Sequence, residues 1–282
     1  MISKLALGTV QFGLDYGINN TNGQVQISDI QTILAFANSV GLDTLDTAFL
    51  YGNSEENLGQ CALNAFKIVS KLPPCEADEI EGTLEKSLNR LQQNQLYGYL
   101  FHHFSTYEKD EKTIDKLQEL KAKGKIQKIG FSLYNPSELE FLFDKNIDFD
   151  LVQVPYNLFD QRFDVYFPLL KSKGVEIHTR SAFLQGLFFK DLSAIPPHFK
   201  AVIPKLKQLN QYEIDKGALC LNFVVSNPNI DKVVIGVDGV EQLKMNVENL
   251  KSIDKVRAIR AELKTLQVDN EAIINPSLWQ LK

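Results

Sequence analysis

LYGYLFHHFSTYEKDEKTIDKLQELKAKGKIQKIGFS, residues 96–132, decides the fold. It opens with a short apolar run, Leu96–Phe101, and closes with another, Ile126–Phe131. Both are rich in Leu, Ile, Phe and Tyr, as strands are. Between them TIDKLQELKAKG sets apolar residues at helical spacing. Strand, helix and strand in succession make the two strands parallel, because the helix is their crossover.

The same unit recurs outward in both directions. Strand-like runs Lys4–Gly8, Leu42–Asp46 and Phe66–Lys71 precede it, and Asp150–Pro155, Val175–Arg180 and Lys232–Ile235 follow, making eight. Among the helical patterns, ISDIQTILAFANSVG is expected to begin at Ser28 as N-cap and to close at Gly41. EADEIEGTLEKSLNRLQ carries Ile80, Leu84, Leu88 and Leu91 on one face. Later come PSELEFLFD, VYFPLLKSKG, AVIPKLKQLNQYEID, ALCLNFVVS, EQLKMNVENL and DKVRAIRAELKTL. Eight units in 282 residues suit an α/β fold of the closed (β/α)8 type, a TIM barrel forming one domain over residues 1–282. A doubly wound open sheet is the rival, but no GxGxxG follows the first strand. NEAIINPSLWQLK, with the single tryptophan Trp279, is expected to lie as a tail over the domain.

Composition narrows the function. Hydrophobic residues make up 44% and charged residues 23%, an ordinary globular balance. Lys+Arg 30 against Asp+Glu 35 leaves −5, so no bulk field draws nucleic acid or anionic lipid. Cys61, Cys75 and Cys220 are odd in number and form no CxxC, which fits buried thiols in a reducing compartment. No signal peptide and no run of about 18 apolar residues stands out. The expectation is a cytoplasmic protein that contacts neither membrane nor nucleic acid; oligomeric state is not legible.

In a parallel barrel, functional side chains sit at the C-terminal strand ends. Here those ends carry Asp46, Lys71, His102-His103, Ser132, Gln153 and Arg180-Ser181, with Tyr51 just beyond Asp46. Buried charges must pair. Asp46 and Lys71 on neighbouring strands can do so, and a tyrosine beside that ammonium would have its pKa lowered. Singly, each residue reads as a loop aromatic, a solvated strand end or a rim histidine.

Together, in order and spacing, they resemble the aldo-keto reductase family. The resemblance is carried by LALGTVQFG (5–13), LDTAFLYGNSEENLG (45–59), IVSKL (68–72), YLFHHF (99–104), KIQKIGFSLYNPSEL (125–139), DLVQVPYN (150–157) and VVIGVDGVEQLKMN (233–246), and spans nearly the whole chain. It implies an NAD(P)H-dependent oxidoreductase that reduces an aldehyde or ketone, or runs the reverse oxidation. Tyr51 would be the general acid, Lys71 held by Asp46 would tune it, and His102 would orient the carbonyl. Because adjacent strand residues face opposite ways, one histidine of the pair is expected in the lumen, and the family pattern selects His102.

The resemblance also implies cofactor contacts. Gly8, Thr9 and Val10 match the strand end beneath the nicotinamide ribose. Ser132 and Gln153 match the carboxamide contacts, although Leu133 follows where the family often has Asn. Arg180 stands where many members stack a tyrosine on the nicotinamide; a planar guanidinium can stack too. Ser181, Phe183 and Gln185 match the pyrophosphate cradle. Aligned on Asn246, Gly236 and Gln242 fall where relatives place basic residues for a 2′-phosphate, and Asp238 where bacterial relatives often have Arg. The family habit points to NADP(H); these residues weaken that habit and open the site to NAD(H), since an Asp suits a free ribose hydroxyl. Lys244 is expected to face outward.

The substrate is a small-molecule carbonyl or alcohol. Leu14–Asn20, Phe104–Tyr107, Tyr134, Tyr156–Phe159 and the tail near Trp279 are the expected walls, and their mix of aromatics with Asn, Gln and Asp suits a sugar or sugar-derived carbonyl, in keeping with the bacterial, polysaccharide-related branch of the family. A non-catalytic cofactor-binding subunit on the same fold is the alternative; the intact Asp46, Tyr51, Lys71 and His102 oppose it. A metal-dependent barrel hydrolase is a third reading. His102-His103 cannot aim both rings at one lumen metal, so no metal is expected.

Overall fold

Eight short parallel strands close on themselves in the computed structural model, which describes every residue except Asn19, Thr21 and 280–282. Part of the expected Leu14–Asn20 wall and the end of the tail therefore lie outside the described residues. The strands are β1 (Leu5–Gly8), β2 (Thr44–Asp46), β3 (Lys67–Leu72), β4 (Leu96–Phe101), β5 (Ile126–Ser132), β6 (Leu151–Pro155), β7 (Glu176–Arg180) and β8 (Lys232–Gly236). Their order round the barrel is the order of the chain, and β1 closes on β8 with Leu5 opposite Val233 and Gly8 opposite Gly236. This excludes the open sheet.

A helix follows each strand: α1 (Ile27–Ser39), α2 (Ser54–Gly59), α3 (Ile80–Leu91), α4 (Lys112–Ala122), α5 (Pro136–Asp144), α6 (Phe167–Ser172), α7 (Lys216–Val225) and α8 (Val240–Asn249). α1 ends as read: Gly41 takes φ +80, its N–H bonds Asn38 O, and the Leu42 N–H bonds Ala37 O. Its start corrects the reading. Gln26 occupies the cap without a side-chain bond, and Ser28 falls inside the first turn. The entry is fixed by Val25, which is buried and donates to Gln11 O.

The late helices are more broken than their patterns. AVIPKLKQLNQYEID yields an α-helix only over Ile203–Leu209; Pro204 stands in its first turn, where a helix tolerates it, and Ala201 and Val202 close the 3-10 turn Pro197–Val202 before it. DKVRAIRAELKTL breaks at Ile259 into Ile253–Ala258 and Arg260–Lys264. Arg260 turns inward to donate to Phe223 O, Ser226 Oγ and Tyr156 Oη. The tail does lie over the barrel: Trp279 packs edge-on against Phe199 and donates Nε1–H to Ile273 O. Among the described residues, no helix is long and apolar enough to cross a membrane.

Candidate active site

The C-terminal mouth of the barrel opens into a cleft of about 680 Å³. Asp46 ends β2, and the chain beyond it keeps to β3: Thr47 N–H bonds Val69 O and Phe49 N–H bonds Lys71 O. This brings Tyr51 back over the mouth. Two glycines hold it there. A Cβ on Gly13 would stand 1.8 Å from Tyr51 O, and one on Gly52 would stand 2.3 Å from Gly13 O. Gly52 also takes φ +54, in the left-handed region. The two loops meet backbone to backbone, with no room for a side chain between them.

Val69 and Lys71, two apart on β3, share the inward face. Lys71 Nζ lies 2.6 Å from Asp46 Oδ1, 2.9 Å from Thr47 O and 3.4 Å from Tyr51 Oη. From across the lumen, Gln153 of β6 donates Nε2–H to Asp46 Oδ2 at 2.6 Å. A continuous polar chain therefore runs Gln153–Asp46–Lys71–Tyr51 through a dry interior, where Asp46 and Lys71 are 3% and 1% exposed. Burial opposes the charge on Lys71, but Asp46 overrides it and the ammonium pKa is raised.

Tyr51 departs from the sequence reading. Its pKa is raised, because burial outweighs the pull of Lys71 and Asp46 adds its own repulsion. The ammonium limits the rise without reversing it, and the free site holds a neutral phenol. His102 meets the Tyr51 ring edge-on at 5.6 Å between centroids. Burial, with Lys71, His103 and Arg180 adding to it, pushes the His102 pKa down to about 2, so this imidazole is neutral. Strand alternation is not what separates it from His103, because β4 ends at Phe101, before the pair. The two rings stack side by side at 4.9 Å, and only His102 lines the cleft.

Most of the other expected residues reach the same cleft. Gly8, Thr9 and Val10 line it from the β1 end, and Ser181, Phe183 and Gln185 from the loop after β7. Gly236, Asp238, Gln242 and Asn246 line it from β8 and α8. Ser132 does not: it is 2% exposed and stands outside the lining. Arg180 spans the end of β5 instead, donating Nη1–H to Leu133 O at 3.0 Å and stacking on the Tyr134 ring at 4.3 Å. Lys244 turns away as expected and pairs with Glu241 at 2.7 Å.

The substrate walls are half corrected. Tyr16, Gly17, Asn20 and Tyr134 line the cleft, and the tail contributes Pro276 and Ser277. Phe104–Tyr107 and Tyr156–Phe159 do not. Phe104 and Tyr107 pack with Phe131 and Phe141 in the outer core. Tyr156 is fully buried, stacks on Phe223, and spends its hydroxyl on Asp164 and Arg260.

Several lining residues escaped the sequence reading, among them Phe189, Asp215, Met245 and Asn249; Gln11 is the most informative. Gln11 projects into the cleft from the turn Val10–Phe12, and its Oε1 is buried without a partner. A Cβ on Gly236 would strike its side-chain amide at 2.6 Å. The available signal was a lone amide three residues past a strand end, between the apolar Val10 and Phe12. Arg180 Nη2 and His102 Nδ1 are likewise buried and unpartnered. Gln11, His102 and Arg180 line the cleft beside Asn20, Gln153, Ser181 and Gln242, and a dinucleotide with amide, ribose and phosphate groups fits that polar lining. Among the described residues, no three His, Cys, Asp or Glu side chains converge as a metal site.

A closed parallel barrel with a phenol, an ammonium and a carboxylate in line at its C-terminal mouth has the architecture of a barrel enzyme. The chain belongs to the Aldo/keto reductase family, whose model matches residues 4–264; it is an NAD(P)-dependent oxidoreductase. It is 25% identical over 301 residues to L-galactose dehydrogenase of Arabidopsis thaliana, covering 96% of this chain and 92% of that one. It is also 25% identical over 303 residues to the NADH-specific methylglyoxal reductase of Escherichia coli (strain K12), covering 88% and 90%. The holo form of aldo-keto reductase AKR11C1 from Bacillus halodurans shares the fold, with a TM-score of 0.78, 19% identity and coverage of 95% and 94%.

Proposed function

We propose that the protein is an NAD(H)-linked reductase of a small hydroxylated carbonyl compound of the sugar type, with Tyr51 as proton donor. One observation carries the reading: Tyr51 Oη stands 3.4 Å from an ammonium that is itself fixed 2.6 Å from a buried carboxylate, in the cleft that His102 lines. A nicotinamide dinucleotide, when bound, supplies the hydride. The residues do the rest. The neutral Tyr51 phenol keeps its proton until a carbonyl oxygen beside it gains charge, and then gives it up. Lys71 stays protonated because Asp46 faces it, and its charge stabilises the phenolate left behind. Gln153 keeps Asp46 turned toward Lys71. His102, neutral, offers a hydrogen bond to the same oxygen and adds no competing charge. In the oxidative direction Tyr51 takes the proton back.

The adenosine end supports NAD(H). Gln242 and Asp238 hold each other: the Asp238 N–H bonds Gln242 Oε1 at 2.8 Å, and Gln242 Nε2–H bonds Asp238 Oδ2 at 3.1 Å. Lys190, in the loop between β7 and α7, donates to Ile18 O and does not line the cleft. Among the described residues, no Lys or Arg lines this end, while Asp215 adds a second carboxylate. Phosphate recognition needs forked or cationic donors. The relative named for NADH specificity agrees with this reading, and the one named for L-galactose agrees with a hydroxylated substrate.

Replacing Tyr51 by Phe tests the mechanism. The variant should fold, bind NADH by fluorescence titration, and lose about 10² to 10⁴-fold in turnover across a carbonyl panel. Turnover close to that of the wild type would place the proton donor elsewhere.

A further inference from the structure

Arg180 is the one cation among the described residues that line the cleft. It is built in rather than loosely placed. Nη1–H donates to Leu133 O at 3.0 Å and lies 3.5 Å from Gln153 O. One face of the guanidinium stacks on Tyr134 at 4.3 Å. Yet its charge has no counterion: no carboxylate forms an ion pair with it among the described residues, and Nη2 is buried without any partner. The other cation at the mouth, Lys71, is already neutralised by Asp46. A guanidinium held by neutral carbonyls at the wall of a cleft, its charge uncompensated, draws an anion to that wall. Its place is next to the reaction centre, because Gln153, against which it packs, reaches Asp46 at 2.6 Å.

We infer that Arg180 receives a carboxylate of the substrate, so that the enzyme prefers carbonyl compounds carrying an acid group, such as 2-oxo acids, aldehyde acids or uronic-type sugars, over their neutral counterparts. This rests on the reductase reading and narrows it to a substrate class. The same anion chemistry could come from the pyrophosphate of the dinucleotide, whose expected cradle begins at Ser181. The two sources separate by experiment.

Matched pairs of substrates decide: glyoxylate against methylglyoxal, succinate semialdehyde against butanal, and glucuronate against glucose. In the wild type, kcat/KM for the acid of at least one pair should exceed that of its neutral twin by about tenfold or more, the scale of one charge-assisted hydrogen bond. Arg180→Gln should bring that ratio to about unity, acting mainly through KM, and Arg180→Lys should keep part of it. NADH affinity is titrated in the same variants, because the resemblance sets Arg180 against the nicotinamide; a loss of that contact weakens acid and neutral substrates alike and cancels in the ratio. Wild-type ratios near unity in all pairs overturn the inference. So does an Arg180→Gln variant that loses NADH affinity about tenfold while the ratio is kept, since the anion is then the pyrophosphate. If no carbonyl is turned over, the reductase reading fails on its own, and equilibrium binding still decides. Lactate should bind the NADH complex more tightly than propane-1,2-diol, and Arg180→Gln should abolish the difference; equal binding in the wild type overturns the inference.

Discussion

Gly13→Ala should disable the site without touching a reacting side chain. The added methyl would stand 1.8 Å from Tyr51 O and 2.5 Å from Ser54 N, whereas real contacts essentially never fall under 3.0 Å. The Gly13 and Tyr51 loops must therefore part by about 1.2 Å, and both contacts are backbone, so no flexible side chain can absorb the shift. Tyr51 Oη already lies 3.4 Å from Lys71 Nζ, at the limit of a hydrogen bond. A misplacement of about 1 Å costs about 10² in rate, and the overpacking costs roughly 1–3 kcal/mol in stability. The assay is single-turnover reduction with saturating NADH, well below the melting temperature of the variant, beside a Gly82→Ala control. Gly82 lies in α3 with nothing within 4 Å of its would-be Cβ, so that control should be as active as the wild type and more stable by about 0.5–1 kcal/mol. Gly13→Ala with turnover within about threefold of the control would refute the idea that these backbones fix Tyr51.

Three further outcomes come from the same geometry. Lys71→Met leaves Asp46 buried with Gln153 as its remaining side-chain partner, so urea denaturation should show a loss of about 3–5 kcal/mol, and adding Asp46→Asn should restore part of it; an unchanged midpoint would contradict the pairing. His102 has a pKa depressed to about 2, so the stability its neutral ring gives is whole above about 6.5 and drains away as pH falls toward the folded value. The wild type should therefore lose more stability than His102→Gln between about pH 7 and pH 5, and equal losses would count against a neutral ring. Asp238→Arg should shift preference toward NADPH, by an amount set by like-charge repulsion of about 1 kcal/mol near water and shrinking with salt; an unchanged NADPH-to-NADH affinity ratio would mean the 2′ position lies elsewhere.

The barrel was legible because eight apolar runs and their crossover helices obey local rules, and the ends of β2, β3, β5 and β7 carry Asp46, Lys71, Ser132 and Arg180 in place. Asp46, Lys71 and His102 stood out as polar residues at or just past strand ends, and Tyr51 joined them through the family resemblance. The sign of the Tyr51 pKa shift could not be read, because it is a contest between burial and one ammonium, and burial has no sequence signature. Aromatics misled for a related reason. Tyr107 and Tyr156 look like loop residues beside strand ends, but both are fully buried in the outer core. Ser132 was matched by motif alone, whereas the side chain that occupies the top of its strand is Arg180, 47 residues on from the Leu133 carbonyl it bonds. Gln11 shows the converse: its role depends on the bare backbone of Gly236, a neighbour only once the barrel has closed.

That closure has a consequence for stability. Gly8 and Gln11 come from the first strand and its turn, while Gly236, Asp238 and Gln242 come from the last strand and the turn and helix beyond it, and the cleft straddles the seam where β1 meets β8. A molecule seated there acts as a clasp across the two ends of the barrel, adding about 2.7 kcal/mol when present at a hundredfold over its dissociation constant. A chain that stops short of β8 already carries Asp46, Tyr51, Lys71 and His102, yet lacks the wall that β8, α8 and the tail supply to the cleft. A ligand seated there therefore stabilises only a chain in which both ends of the barrel are in place.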